Sequence, residues 1–413
     1  MEKGITRLVS LGKRLTGVDV AYFAKGGFWM GMLQAWIMLT GTLLSILFAR
    51  MLPKVEFGQY QLIVSVFATM SIAALPGLNS AIMQEVVKGH DKSVLRAISY
   101  RIKTSLIGSL GLLCVAGFFW YTRKDVLFSS VFLLASLVFP FTTMISALAS
   151  FFNAKQKFSS SFWYQSIDRT ILFGCLIGAL FLRIPVVWIG GTYIVATAAS
   201  NILLYFIFRY KNPVKGGEGE VIRKGKQLTL VLWGVKLLMH ADRLLLGYIL
   251  GMTKLAVYTI SLLIPDAMDT MLNTLNSVAF AKLSKTDKKT LWGKIGRPWL
   301  VIVGFAGVAI VYQLLPWLVP LVFGQQYLDS VRPAQVYVLI IPALFLFRLC
   351  CSWLLAQGRN KRYALYLNGY HAAAIIALVA TALLTRSVTA VIASRVITMY
   401  AFAFFTIFRL RVT

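Results

Sequence analysis

The sequence predicts an all-α integral membrane protein of about twelve transmembrane helices, in two six-helix bundles related by a pseudo-two-fold axis along the membrane normal. Three observations predict it. Of 413 residues, 58% are hydrophobic and only 14% charged, with a mean hydropathy of +0.75. Average soluble chains carry about 25% charged residues. The apolar residues also come in runs: 41–48, 127–138 and 301–311 hold almost nothing polar, and the surrounding windows reach the ~20 residues a helix needs to cross a bilayer. Finally, Lys and Arg concentrate in alternate loops, the bias expected of cytoplasmic loops.

Taken in order, hydropathy marks spans at 27–49, 59–83, 104–121, 126–152, 162–183, 186–208, 228–250, 256–281, 298–318, 334–355, 364–385 and 388–408. Barrel strands would be shorter and would alternate, so these are helices. The N-terminus, the loops at 84–103, 153–161, 209–227, 282–297 and 356–363, and the C-terminus together hold 29 Lys and Arg, against 8 in the intervening loops. That asymmetry places both termini in the cytoplasm. A missed or spurious span would break the alternation, so the bias also supports twelve.

The segment 211–226 contains Pro213, Gly216, Gly217, Gly219, Glu218 and Glu220. It is the longest polar interruption, and it divides an N-terminal half (1–208) from a C-terminal half (228–413) through a cytoplasmic linker (209–227). An even number of spans per half makes the expected repeat parallel. A shift of 198 residues agrees with this, laying Leu52 on Leu250 and Tyr60 on Tyr258.

The pI of about 10.2 does not indicate nucleic acid, because the basic residues are scattered between apolar spans and no basic face is interleaved with stacking aromatics. Cys114, Cys175, Cys350 and Cys351 fall inside spans without metal-type spacing and read as small apolar side chains. No nucleotide-binding or catalytic motif stands on a plausible element, so neither a cofactor, a metal nor an enzymatic activity is expected. The first apolar run is too long for a cleavable signal.

Ionisable groups inside a bilayer are costly and functional by default. Lys236, His240 and Arg243 follow i, i+4, i+7 and share a helix face, with Asp242 beside them. The eighth span answers with Asp266, Asp269, Asn273 and Asn276, also on one face. Arg243 lies ~22 Å along its helix and Asp266 ~15 Å from the opposite end of its own, so both reach the middle of a ~30 Å core. The expectation is a hydrated, charged cavity lined by these two helices. The alternative is a structural ion-pair cluster in which the aspartates neutralise Arg243 and Lys236. Arg348 and Arg395 have no acidic neighbour in their own helices: they suit an anionic substrate, or they meet an acid from another helix. His371 reads as a packing or interfacial residue, and Asp168 with Arg169 as a local pair or a functional one. Pro76, Pro140 and Pro265 sit inside spans as candidate kinks.

The stretch Ala49-Arg-Met-Leu-Pro-Lys-Val-Glu-Phe-Gly58-Gln-Tyr60 resembles the ARxLxxxxFGxY segment of polysaccharide exporters. Asp242-Arg-Leu-Leu-Leu-Gly-Tyr248 with Ala256-Val-Tyr258 resembles its seventh-helix counterpart. The family is that of the Wzx-type O-antigen and polysaccharide flippases, in the multidrug/oligosaccharidyl-lipid/polysaccharide (MOP) superfamily. The resemblance implies translocation of undecaprenyl-pyrophosphate-linked repeat units across the bacterial inner membrane, with a polysaccharide polymerase as a candidate partner, and a cavity lined by the first, second, seventh and eighth helices. The sequence departs in having first and second spans nearly free of charge. On this reading Lys236, His240, Arg243, Arg348 and Arg395 hold the anionic headgroup, arginine suiting phosphate through its planar fork. Asp242, Asp266, Asp269 and Asn273 are the candidates for coupling to a cation. The alternative is a drug/cation antiporter of the same superfamily, which would want an excess of cavity carboxylates.

Overall fold

Without water to bond exposed backbone groups, a chain this apolar must satisfy them internally, and it does so as helix. The computed structural model describes residues 20–214, 216–217, 219–283, 298–357 and 359–412. In order, the helices are α1 (Val20–Met51), α2 (Lys54–Met70), α3 (Gly77–Val87), α4 (Ser93–Phe118), α5 (Val126–Val138), α6 (Met144–Ala154), α7 (Phe158–Phe181), α8 (Val186–Lys211), α9 (Val221–Leu250), α10 (Met252–Leu283), α11 (Pro298–Phe323), α12 (Val331–Val338), α13 (Ile340–Ala356), α14 (Asn360–Thr385) and α15 (Val388–Val412). Helices occupy every range that hydropathy marked. Among the described residues, nine segments are long and apolar enough to cross a membrane. They leave out α7, which carries Asp168 and Arg169, and also α9 and α10, whose side chains are described only in part.

Two compact units form. Of the described residues, one holds those up to Leu44 with those of 73–184 and 191–230; the other holds those of 45–72, 185–190 and 231–413. In the first, Leu78, Ile82, Val94, Ile98, Leu148, Phe151, Phe152, Leu204, Phe208 and Val221 make one buried core that joins α3, α4, α6 and α8 to the start of α9. The described residues of 209–230, a range that includes the expected linker, belong to this unit.

Two of the expected spans, 59–83 and 126–152, are interrupted where proline removes a donor. Between α2 and α3 a 3-10 turn (Ser71–Ala74) runs into Leu75 at φ 52° and then Pro76. The Gly77 amide beyond it donates to Thr229 Oγ1 at 3.1 Å. A Cβ on Gly77 would stand 2.3 Å from the Thr229 amide nitrogen, so only glycine admits this approach of α3 to α9. Between α5 and α6, Pro140 sits in the 3-10 turn Phe139–Phe141. Two side chains from other helices satisfy that break. Asn201 Oδ1 accepts from the Ile145 amide at 2.9 Å, and Arg101 donates through Nη1 to the Thr143 carbonyl at 2.8 Å. Arg101 also donates to Ser146 Oγ and Asn79 Oδ1. It is therefore not a loop charge, as its place in 84–103 implied. It is buried within α4 as the donor that a broken membrane helix requires. The charge bias survives its removal.

The second unit has the same kind of break at the position the 198-residue shift assigns. Its fourth expected span divides at Leu339 into α12 and α13, and Tyr400 Oη donates to the Leu339 carbonyl at 2.9 Å. Two pairs of helix ends fall at similar but not identical separations, 200 and 203 residues. Lys124 and Gly324 end one pair of segments with positive φ, and Arg183 and Arg386 end another, with φ 52° and 50°. Pro265, by contrast, rides inside α10 without dividing it.

The exporter-like stretch around Arg50 is a docking device within the second unit. Arg50 Nε donates to the Val322 carbonyl at 2.9 Å, capping α11. Lys54 meets Asp329 at 2.7 Å, and the Phe57 and Tyr327 rings meet edge to face. A Cβ on Gly58 would lie 2.0 Å from the Met252 carbonyl oxygen, so glycine lets α2 touch the start of α10.

Candidate functional site

Inside the second unit, a cavity of about 390 Å³ is lined by His240, Asp242 and Arg243 of α9, Asp266 and Asp269 of α10, and Tyr337 of α12. Arg348 of α13, Tyr370 and His371 of α14 and Arg395 of α15 complete its polar lining. The helical spacing explains the convergence: Asp266, Asp269 and Thr270 fall on one face of α10, and Tyr370, His371 and Ala374 share a face of α14.

Two ion pairs cross the cavity. Arg395 Nη1 donates to Asp242 Oδ2 at 3.1 Å and to the Tyr258 hydroxyl oxygen at 2.9 Å. The Tyr258 hydroxyl in turn donates to the same carboxylate oxygen at 2.9 Å. Tyr258 is wholly buried, and the Arg395 guanidinium lies 5.4 Å from the centre of the Tyr337 ring. The second pair is two-pronged: Arg348 Nη2 donates to Asp269 Oδ2 at 2.7 Å, and its Nη1 lies 2.5 Å from Oδ1. The Tyr337 hydroxyl donates to Asp266 Oδ1 at 3.1 Å.

Of the sequence candidates, His240, Arg243, Arg348, Arg395, Asp242, Asp266 and Asp269 all line this one cavity. The side chains of Lys236 and Asn273 lie outside the described residues. Arg348 and Arg395 are paired, each with an aspartate from another helix, the second of the two readings left open for them. Two expectations change. Asp269 neutralises Arg348 rather than the basic stripe on α9. The cavity is lined by α12–α15 as well as α9 and α10, and His371 joins it. Among the described side chains it holds three guanidiniums and three carboxylates, so it is charge-balanced rather than cationic. Arg243 is the guanidinium left without a carboxylate partner among the described residues: its amide bonds Asp242 Oδ1, while its side chain faces the cavity. The sequence reading missed Tyr258 and Tyr337. A signal for Tyr258 was its place in the repeat, opposite Tyr60, in a helix facing Asp242.

In the first unit, Asp168 bonds Ser200 Oγ and Asn201 Nδ2 of α8. It shares Asn201 with the α5–α6 break, which gives it a structural setting. Among the described residues, no group of His, Cys, Asp and Glu side chains could hold a metal ion.

Several helices long and apolar enough to cross a membrane, two of them interrupted, define a multi-pass membrane protein, and its fold is similar to that of solved MOP superfamily transporters. An inward-facing multidrug resistance MATE family transporter of the MOP superfamily superposes with a TM-score of 0.67 at 13% identity, covering 91% of this chain and 94% of its own. The lipid II flippase MurJ, in an inward closed conformation, gives 0.68 at 12% identity over 92% and 87%. A MOP superfamily transporter from Pyrococcus furiosus, described by the reverse polarity of its binding pocket, gives 0.61 at 12% over 94% and 95%. Residues 23–286 match the model of the polysaccharide biosynthesis protein family, and the chain belongs to that family. A search of curated proteins by sequence gives no match.

Proposed function

We propose that the chain is a flippase that moves undecaprenyl-pyrophosphate-linked polysaccharide repeat units across the bacterial inner membrane by alternating access, with twelve spans and both termini in the cytoplasm. The observation that carries this reading is Arg243, a guanidinium in a membrane cavity with no carboxylate partner among the described residues. An unpaired intramembrane arginine is costly and suits an anion that arrives transiently. A cavity of about 390 Å³ is at the small end of ligand sites. It is sized for the diphosphate and adjoining groups, with the lipid tail left in the bilayer. A charged headgroup cannot cross hydrocarbon alone, and the family match to polysaccharide biosynthesis supports a sugar-bearing lipid as cargo. The MurJ neighbour, named as a lipid II flippase, supports the same cargo class.

The antiporter reading would rest on the three cavity carboxylates, but two of them are occupied by Arg348 and Arg395. The decisive experiment is deletion of the protein in its host. Lipid-linked oligosaccharide should accumulate in the inner leaflet, and normal surface polysaccharide after deletion would refute the proposal.

A further inference from the structure

One face of α4 changes character along its length in a way the transport cavity does not use. Lys92 caps the helix, and Arg96, Ser99 and Lys103 follow at i+4, i+7 and i+11. The same stripe then continues as Leu106, Ile107, Leu110 and Leu113, exposed by 54%, 68%, 64% and 48%. From Lys103 to Leu113 is ~15 Å of helix, the depth of one leaflet's hydrocarbon. At the basic end lies a groove of about 430 Å³ with Leu95, Tyr100 and Ile222 as its apolar side. Lys226 of α9 adds a cation, its ammonium 5.3 Å from the centre of the Tyr100 ring. No carboxylate among the described residues lines the groove. The acids on neighbouring turns are already engaged, Glu85 with Lys224 and Asp91 with Lys155 at 2.7 Å.

We propose that this groove binds an anionic phospholipid of the leaflet it faces, with the phosphate headgroup on Lys92, Lys103 and Lys226 and an acyl chain along Leu106, Ile107 and Leu110. The match is one of charge and of length together. Cations cluster where a headgroup sits, and an exposed aliphatic stripe begins one turn deeper. Each lysine or arginine near an anionic lipid surface contributes about a fivefold gain in binding, so several cations on one groove select an anionic lipid over a zwitterionic one. The lipid would hold the start of α9 against α4, inside one unit.

The test is native mass spectrometry of the full chain released from detergent with phosphatidylglycerol or phosphatidylcholine added. Wild type should retain phosphatidylglycerol at least about tenfold better than phosphatidylcholine. Lys92→Gln/Lys103→Gln/Lys226→Gln should lose that preference, while Arg123→Gln/Lys124→Gln, at the other end of the helix, should keep it. These side chains are exposed, so the triple variant should fold; thermal unfolding in lipid-free detergent checks this. Equal retention of the two lipids by wild type, or an unchanged preference in the triple variant, overturns the proposal. In a third arm a polyprenyl diphosphate is added in competition. Displacement of phosphatidylglycerol at equimolar concentration would assign the groove to a diphosphate lipid carrier and overturn the phospholipid assignment.

Discussion

Arg395 and Asp242 stand 153 positions apart and meet at 3.1 Å, with the Tyr258 hydroxyl bonded to both. The contact joins α15 to α9 across α10, so one carboxylate ties three helices of the second unit. Removing one partner of a buried pair leaves the other charge uncompensated, at about 3 kcal/mol or more. Asp242→Asn and Arg395→Gln should each lower thermal stability in detergent by about that amount, and the double variant by clearly less than the sum. Tyr258→Phe should cost about 1 kcal/mol, the worth of its hydroxyl's bonds. Additive losses in the double variant would show that the pair is not coupled.

Arg243 should behave differently, because no carboxylate among the described residues forms a hydrogen bond or ion pair with its side chain. Arg243→Ala is expected to leave the protein in the membrane at normal level and to reduce surface polysaccharide at least tenfold, a loss of about 1.4 kcal/mol or more of binding. Arg243→Lys should restore only part of the output, since an ammonium lacks the planar fork that grips phosphate. Quantified polysaccharide at matched protein level is the readout. Full output from the alanine variant would remove Arg243 from the substrate site.

A separate prediction concerns the linker. Glu85 is 2% exposed and accepts from Lys224 Nζ and from His90 Nδ1, the latter at 2.9 Å. Gly219, at φ 53°, leaves room for it: a Cβ there would sit 2.1 Å from Glu85 Oε2. The Lys224 ammonium, then His90, hold the Glu85 carboxyl down from 4.5 to about 2. A carboxyl with a lowered folded value stabilises the fold above its unfolded value and loses that contribution as pH falls toward the folded one. The cluster should therefore be fully effective at pH 7 and weaken between about pH 4.5 and pH 2, by about 1–2 kcal/mol once screening at its open side is allowed for. Glu85→Gln should show the weakened state already at pH 7 and lose the acid-dependent step. Limited proteolysis at 211–220, followed against pH, would detect release of the linker. Equal protection of wild type and variant at every pH would refute it.

The helix positions were legible because hydropathy needs no knowledge of neighbours. The breaks were legible where proline caused them, as at Pro76 and Pro140. The break at Leu339 had a proline of its own, Pro342 in the first turn of α13; what the sequence did not show is that the Tyr400 hydroxyl, 61 residues away, meets the Leu339 carbonyl. Pairing was hidden for the same reason. Helical spacing places Asp269 and Arg348 on the faces of their own helices, but nothing in either helix says that they will meet across 79 residues. Aromatic residues in spans read as packing, so Tyr258 and Tyr337 could be distinguished only once their hydroxyls were seen on Asp242 and Asp266. The Arg50 segment, read in the sequence as exporter-like, makes structural contacts: its arginine caps α11 and its glycine lets α2 approach α10.

The last prediction concerns what drives the cycle, and it turns on the difference between Asp266 and Asp269. Repeated one-way movement of a charged headgroup needs a free-energy source, and no nucleotide-binding motif is present in the sequence. Asp269 is gripped at both oxygens by Arg348, so it is already neutralised. Asp266 is held at Oδ1 by a neutral phenol, Tyr337, and lines the same cavity as Arg243. A carboxylate so placed can take up a proton or a cation, and doing so would change the field in which Arg243 receives an anion. Binding events couple in this way only when one state of the site is favoured over the other. If Asp266 is the coupling group, Asp266→Asn should abolish the pH or sodium dependence of transport in reconstituted vesicles while leaving downhill exchange of lipid-linked oligosaccharide intact. Asp269→Asn should instead act mainly on stability, because it strands the Arg348 guanidinium, at a cost of about 3 kcal/mol. An Asp266→Asn variant that keeps its full ion dependence would exclude the coupling role. If Asp269→Asn lost ion dependence at unchanged stability, the two roles assigned here would have to be exchanged.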